Sequence, residues 1–203
     1  EKTLKKFGIP YKTAIVTRGH HAGYYPGAKN MVLKLIFDEN GKIFGAQAVG
    51  EAGVDKRIDV IATAIKGNLT VYDLPEIEIT YAPPYNSAKD PVNIAGYTAE
   101  NILKGDLEMV NYDEFWDFVK ENNAVILDVR TSKEFSGGAI EGAININVDD
   151  LRENLQNLDK NKVYAIYCQV GLRGYLANRI MRNNGFRAVN LNGGYNLWAK
   201  ANS

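Results

Sequence analysis

The stretch Tyr167-Cys168-Gln169-Val170-Gly171-Leu172-Arg173-Gly174 carries the residue types that could do chemistry, and Cys168 is the only cysteine among 203 residues. A cysteine works as a nucleophile when its surroundings favour the thiolate. The apolar run Val163-Tyr164-Ala165-Ile166-Tyr167 before it reads as a short buried strand. After it, Leu172, Leu176, Ala177, Ile180 and Met181 recur at helical spacing. Cys168 is therefore expected where a strand ends and a loop enters a helix N-terminus. First-turn N–H groups have no internal partner there, and the helix dipole is positive. Gly171 and Gly174 allow backbone N–H groups to converge. Arg173 adds a fixed positive charge. This setting predicts a thiol pKa below its ordinary value. A lone cysteine is by default a small core residue; the strand, glycines, arginine and helix together favour the nucleophile here.

Cys-x-x-Gly-x-Arg-Gly after an apolar strand resembles the active loop of the rhodanese family of sulfurtransferases. Ile126-Leu127-Asp128-Val129-Arg130, with Glu134-Phe135 and Gly142-Ala143-Ile144-Asn145-Ile146, resembles the family's first signature. Leu191-Asn192-Gly193-Gly194-Tyr195, with Trp198, resembles its last. Gly138-Ala139-Ile140 stands where the family usually has Gly-His-Ile, which predicts a packing change outside the loop. The resemblance implies that Cys168 takes a sulfur atom as a persulfide from a small-molecule donor and hands it to a thiol. The N–H groups of Gln169, Val170, Gly171, Leu172 and Gly174 would hold the anion, and Arg173 would orient the donor. Asp128 and Arg130 read as a structural pair closing a strand, with Glu134 as a possible partner. Two other readings stay open: a non-catalytic interaction module on the same fold, and phosphatase or arsenate-reductase chemistry. Four residues separate Cys168 from Arg173 (Gln169, Val170, Gly171 and Leu172), where cysteine phosphatases resemble one another in having five. The tighter loop favours sulfur over phosphate.

The elements that must position this loop alternate. Asn111 with Glu114 suggests a capping box before a helix bearing Phe115, Phe118 and Val119. Strands follow at residues 125–129, 163–167 and 188–191, with a helical crossover near 148–158 and a last helix over 195–201. Strands alternating with helices predict a doubly wound parallel α/β sheet over residues 107–203. Ligands of such sheets bind at the carboxyl ends of strands, where Cys168 falls.

Residues 1–104 read differently. Runs at 11–17, 30–37 and 42–49, the last two joined through Asn40-Gly41, predict an antiparallel hairpin sheet. Val54, Ile58, Ile61, Ala62 and Ile65 predict a covering helix, and residues 93–103 another. This α+β layer resembles the C-terminal dimerisation domain of the pyridine nucleotide-disulfide oxidoreductases. Gly41-Lys42-Ile43-Phe44-Gly45-Ala46-Gln47 and Leu69-Thr70-Val71-Tyr72-Asp73-Leu74 carry the likeness. Residues 78–93 resemble the coenzyme A-disulfide reductase and NADH oxidase branch. Tyr81 and Tyr85 stand there in place of the His-Pro pair of glutathione reductase-like relatives. The resemblance implies that both tyrosines face the flavin and coenzyme A site of a partner subunit; ordinary interface aromatics are the alternative. His20 and His21 read as a solvated or interface pair.

Lys plus Arg and Asp plus Glu balance at 24 each, so no basic patch argues for nucleic acid. No run reaches transmembrane length, and no signal-peptide pattern is present. One cysteine and no His/Cys cluster argue against a disulfide or a metal site and for a cytoplasmic protein. Gly45-Ala46-Gln47-Ala48-Val49-Gly50 only mimics a glycine-rich phosphate loop, because a strand runs through it. The expectation is thus the rear part of a longer enzyme, binding no cofactor itself. FAD, NAD(P)H and coenzyme A would belong to the full-length disulfide or persulfide oxidoreductase. The chain is expected to form a homodimer.

Overall fold

The computed structural model describes residues 1–202 and divides into two compact units, one up to Lys104 and one from Gly105 onward. The first unit opens with α1 (Lys2–Lys6) and continues through β1 (Lys12–Gly19), β2 (Asn30–Phe37) and β3 (Ile43–Gly50). These three strands form an antiparallel meander in chain order. The β2–β3 turn works as its residues suggest. Gly41 takes φ +85°, and the Asp38 carboxylate accepts from the backbone N–H groups of Asn40 and Lys42. Alternate strand residues, Ala14 and Val16 on β1 and Leu33, Leu35 and Phe37 on β2, enter the core. There they meet Ile61 and Ala64 of α2 (Val54–Lys66) and Val92, Ala95 and Ala99 of α3 (Pro91–Leu103). The start of α3 is fixed by sequence: Pro91 occupies its first turn, and Asp90 and Asn93 close a capping box.

The second unit is a five-stranded parallel sheet in the order β4-β8-β7-β5-β6. Its elements run β4 (Met109–Val110), α4 (Phe115–Glu121), β5 (Val125–Asp128), α5 (Ser132–Ser136) and β6 (Ile144–Asn145). They continue with α6 (Leu151–Asn154), β7 (Val163–Tyr167), α7 (Leu172–Asn183), β8 (Arg187–Leu191) and α8 (Gly194–Ala201). The expected α/β sheet is present, and its core has two faces. From β7, Tyr164, Ile166 and then Cys168 point into a cluster with Leu151 of α6 and Ala177, Ile180 and Met181 of α7. Ala165 and Tyr167 point the other way, with Phe115 and Phe118 of α4 and Trp198 of α8. The two-residue side-chain period of β7 therefore commits Cys168 to the α7 side. Burying each large side chain of these faces contributes about 1.5–3 kcal/mol.

Two local expectations need correction. The Asn111–Glu114 capping box does not form: Glu114 is itself the N-cap of α4 and makes no side-chain capping bond. Instead the Asn111 amide donates to the Glu114 carboxylate at 3.1 Å. A true box forms at Thr131 and Glu134, starting α5. The crossover near residues 148–158 holds only one α-helical turn, α6, followed by a 3-10 turn over Leu155–Asn157. The short edge strands β4 and β6, two residues each, are too brief to leave a periodic signal.

Candidate active site

Every residue of β7 is buried, and Cys168, one residue beyond it, is only 1% exposed. The chain turns at Gly171, whose φ of +113° suits glycine, and enters α7 at Leu172. This turn brings the Gly171 N–H to 3.1 Å from the Cys168 Sγ. The first turn of α8 braces the loop from behind. The Tyr195 N–H donates to the Cys168 carbonyl at 2.8 Å and the Asn196 N–H to the Gln169 carbonyl at 3.1 Å. These bonds fix the two peptides that flank Gln169, and the next peptide, Val170–Gly171, presents its N–H to the sulfur. Asn190, fully buried on β8, sends its amide Nδ2 toward the Gly171 carbonyl at 3.4 Å.

Gln169 does not reach freely into the loop. Its Oε1 accepts from Arg130 Nη1 at 2.9 Å, and its Nε2 donates to the Asn196 side chain. Arg130 is 2% exposed and Asp128 is 0% exposed. Arg130 Nε and Nη2 donate to both Asp128 oxygens at 2.7–3.1 Å, and Nη2 also reaches the Gly138 carbonyl at 2.7 Å. The guanidinium lies 4.1 Å from the Tyr195 ring centroid and 5.4 Å from that of Tyr167. Burial works against its charge, but the Asp128 hydrogen bonds and charge outweigh that and hold Arg130 above its ordinary pKa. The expected strand-closing pair is therefore buried and clamps Gln169, the residue after the cysteine. Burial likewise pushes the Tyr167 phenol up, and its oxygen accepts the Ile140 N–H at 3.1 Å.

Glu134 is not the partner of that pair; it belongs to Arg173. Arg173 Nη1 and Nη2 donate to the two Glu134 oxygens at 2.8 and 2.6 Å, a bidentate fork across the loop's flank. The Arg173 hydrogen bonds, aided by the Thr131 N–H and hydroxyl, bring the Glu134 carboxyl down to about 2. In return Glu134 raises the Arg173 pKa, with a smaller contribution from the charge of Cys168. Sequence reasoning placed Arg173 and missed its acceptor. The signal was the capping-box spacing of Thr131 and Glu134, which fixes this carboxylate at a helix start. Gln169, Val170 and Gly171 form the turn after β7, and Leu172 and Gly174 lie in the first turn of α7.

The tyrosines lie in the other unit, on the irregular segment before α3. Tyr81 is 48% and Tyr85 68% exposed, and the Tyr81 hydroxyl bonds that of Tyr24 at 2.8 Å. That hydrogen bond raises the Tyr24 phenol above its ordinary value. The segment is tied down by Arg57, a buried cation that the sequence reading overlooked. Arg57 pairs with Asp90 at 2.8 Å and donates to Asn86 Oδ1 at 2.9 Å and to the His20 carbonyl at 2.7 Å. Its signal was a charge on the apolar stripe of α2, in line with Ile61 and Ala64. His21 is buried with its Nδ1 3.0 Å from the Ala22 carbonyl, and the His20 ring lies 4.1 Å from the His21 ring.

Among the described residues no group of three or more His, Cys, Asp or Glu could hold a metal, and no helix is long and apolar enough to cross a membrane. Residues 45–50 lie within β3, paired with β2 from Gly45 opposite Ile36 to Gly50 opposite Met31. They form a strand and not a loop entering a helix, so they do not fit the pyrophosphate of a flavin or nicotinamide.

Comparison with known proteins assigns the two units. Residues 1–91 match the pyridine nucleotide-disulphide oxidoreductase dimerisation domain, and residues 111–201 match the rhodanese-like domain. Curated relatives include coenzyme A disulfide reductase of Staphylococcus haemolyticus, 47% identical over 93 residues, which are 45% of this chain and 21% of that protein. The Staphylococcus aureus enzyme of the same name is 49% identical over 98 residues, 48% of this chain and 22% of that protein. The crystal structure of reduced Bacillus anthracis CoADR-RHD is 50% identical, with a TM-score of 0.95, covering 98% of this chain and 36% of that one. An NAD-dependent persulfide reductase from A. fulgidus is 38% identical, with a TM-score of 0.85, covering 96% of this chain and 35% of that one. The chain thus spans about a fifth of the length of these curated relatives and about a third of these solved chains.

Proposed function

We propose that this chain, which joins a pyridine nucleotide-disulphide oxidoreductase dimerisation domain to a rhodanese-like domain, transfers sulfane sulfur through Cys168. The observation that carries the reading is the Gly171 N–H held 3.1 Å from the Cys168 sulfur, at the carboxyl end of β7 and the start of α7. A donated N–H and the positive end of a helix stabilise a thiolate and then the terminal sulfur of a persulfide. The Cys168 thiolate attacks the outer sulfur of a persulfide R–S–SH. The S–S bond breaks, the R–S⁻ thiolate leaves with the electron pair, and Cys168–S–SH remains. An acceptor thiolate then attacks that outer sulfur, forms its own persulfide and returns Cys168 as a thiolate. With thiosulfate as donor, sulfite is the leaving group. The N–H groups of Gln169, Val170, Leu172 and Gly174 complete the anion cradle, and Arg173 lies on its flank.

The larger enzyme in which such a chain works would be a flavin- and NAD(P)H-dependent coenzyme A-disulfide or persulfide reductase, cytoplasmic and homodimeric. Its front domains would reduce the persulfide or disulfide that the acceptor thiol, coenzyme A or a related thiol, carries to them. Tyr81 and Tyr85, exposed on the dimerisation domain, would face the partner subunit's site. Two features support the enzyme over a mere interaction module: the cysteine is present, and its loop is held by hydrogen bonds from Tyr195, Asn196 and Arg130. The test is sulfur transfer from thiosulfate to cyanide by the purified chain. Cys168→Ser should abolish it, and turnover retained in that variant would refute the assignment.

A further inference from the structure

Two arginines flank the Cys168 loop, and each is paired with a carboxylate. Arg130 is locked on buried Asp128. Arg173 has both terminal nitrogens on Glu134, at 2.8 and 2.6 Å, and the pair is about one-third exposed on each side. The fork geometry matters. A guanidinium forked onto a carboxylate keeps further N–H donors, but its charge is balanced at close range. An anion approaching Arg173 meets a charge already neutralised by Glu134, whose own orientation is fixed by the Thr131 capping box. Glu134 stays ionised throughout the neutral range, because Arg173 and Thr131 hold its carboxyl at about 2. The sulfur is therefore met by the backbone N–H of Gly171, with no uncompensated side-chain cation from either flanking arginine.

We propose that Glu134 sets the charge of the sulfur donor: by occupying Arg173 it turns the site toward persulfides with an uncharged body and away from dianionic thiosulfate. Glu134 is a specificity residue acting through Arg173, and touches neither the sulfur nor the donor. The assignment rests on sulfur transfer at Cys168 for its biological meaning, but its physical core can be read without any sulfur transfer. Iodoacetate and iodoacetamide are small reagents that alkylate the same thiolate and differ by one negative charge. Cys168 is the only cysteine, so the labelled site is unambiguous.

In Glu134→Gln, which keeps the shape and removes the charge, the iodoacetate-to-iodoacetamide rate ratio is expected to rise about fivefold at low salt and to fall back toward the wild-type ratio as salt is raised. Glu134→Asp keeps the charge and should stay near the wild-type ratio. In the wild-type chain the ratio should depend on salt far less than in Glu134→Gln. If Glu134→Gln leaves the ratio unchanged, or slows both reagents alike, Glu134 is a scaffold residue and the proposal is overturned. If Glu134→Gln does not fold, the wild-type salt series decides: a ratio that falls steeply with salt would reveal an uncompensated cation and overturn the proposal, while a flat one upholds it. Thiosulfate and an uncharged alkyl persulfide, compared as donors, should shift in relative kcat/KM by a similar factor in Glu134→Gln. Absence of sulfur transfer in every variant, beside a shifted alkylation ratio, would refute the proposed function and leave the role of Glu134 standing.

Discussion

Gly194 backs the reactive loop, and replacing it with alanine isolates what that support is worth. Its φ is +69°, a left-handed conformation that costs an alanine about 1–2 kcal/mol. An added Cβ would also lie 2.7 Å from the Cys168 carbonyl oxygen, 2.8 Å from the Val170 nitrogen and 2.9 Å from the Gln169 carbonyl carbon. All three are backbone atoms of the loop, so no side chain can swing aside, and such overpacking adds about 1–3 kcal/mol. The sum is a loss of about 2–5 kcal/mol, which for a domain of about 100 residues lowers Tm by roughly 10–30 °C. Gly142 is the internal control: its φ is +76°, but nothing lies within 4 Å of a Cβ there. Gly142→Ala should therefore show only the backbone penalty, about 1–2 kcal/mol, with sulfur transfer unchanged. In Gly194→Ala the displaced Cys168 carbonyl and Val170 amide should cut kcat/KM by tenfold or more, on the order expected for a misplaced nucleophile. Both variants are compared by thermal melting of the rhodanese-like unit and by steady-state transfer. Equal stability and equal activity in the two would refute the claim that Gly194 holds the loop in place.

Breaking the Asp128–Arg130 pair with Arg130→Met leaves a carboxylate buried without its partner; the expected loss is about 3–5 kcal/mol, read from urea unfolding, together with slower transfer as Gln169 is released. Glu134 gives a pH signature. Its carboxyl titrates at about 2 in the fold against an ordinary 4.5, so its stabilisation is complete above about pH 5 and fades as the pH falls toward 2. Because the pair is partly open to water the effect is under about 1 kcal/mol. The wild-type advantage in urea midpoint over Glu134→Gln at pH 7 should shrink at pH 3. Sedimentation should show a homodimer; a monomer at high concentration would contradict the dimerisation reading of the first unit.

The sequence was most informative where periodicity was strong and chemistry local. The run of residues 163–167, the helical spacing after Leu172 and the Asn40-Gly41 turn each led to the right element. Cys168 could be placed at a strand end because buried strands and helix starts leave compositional marks. Long-range pairings left no such mark. Glu134 and Arg173 are 39 residues apart, as are Arg130 and Gln169, and only the parallel order of β7 beside β5 brings them together. Asp128 and Arg130 were recognised as a pair because they are two residues apart at the end of one strand. Arg57 was passed over because an arginine in a helix is ordinary until its face is known to be buried. The two-residue strands β4 and β6 are set by pairing to neighbours, not by their own residues.

The central claim is that Cys168 carries the transferred sulfur, and intact-mass analysis after brief exposure to a sulfane donor measures this directly. The chain should gain the mass of one sulfur atom, located on the peptide containing Cys168. The added mass should disappear when an acceptor thiol is supplied and be absent in Cys168→Ser. A wild-type chain that gains no sulfur from thiosulfate or from an alkyl persulfide, while its Cys168 remains open to iodoacetamide, would contradict the account.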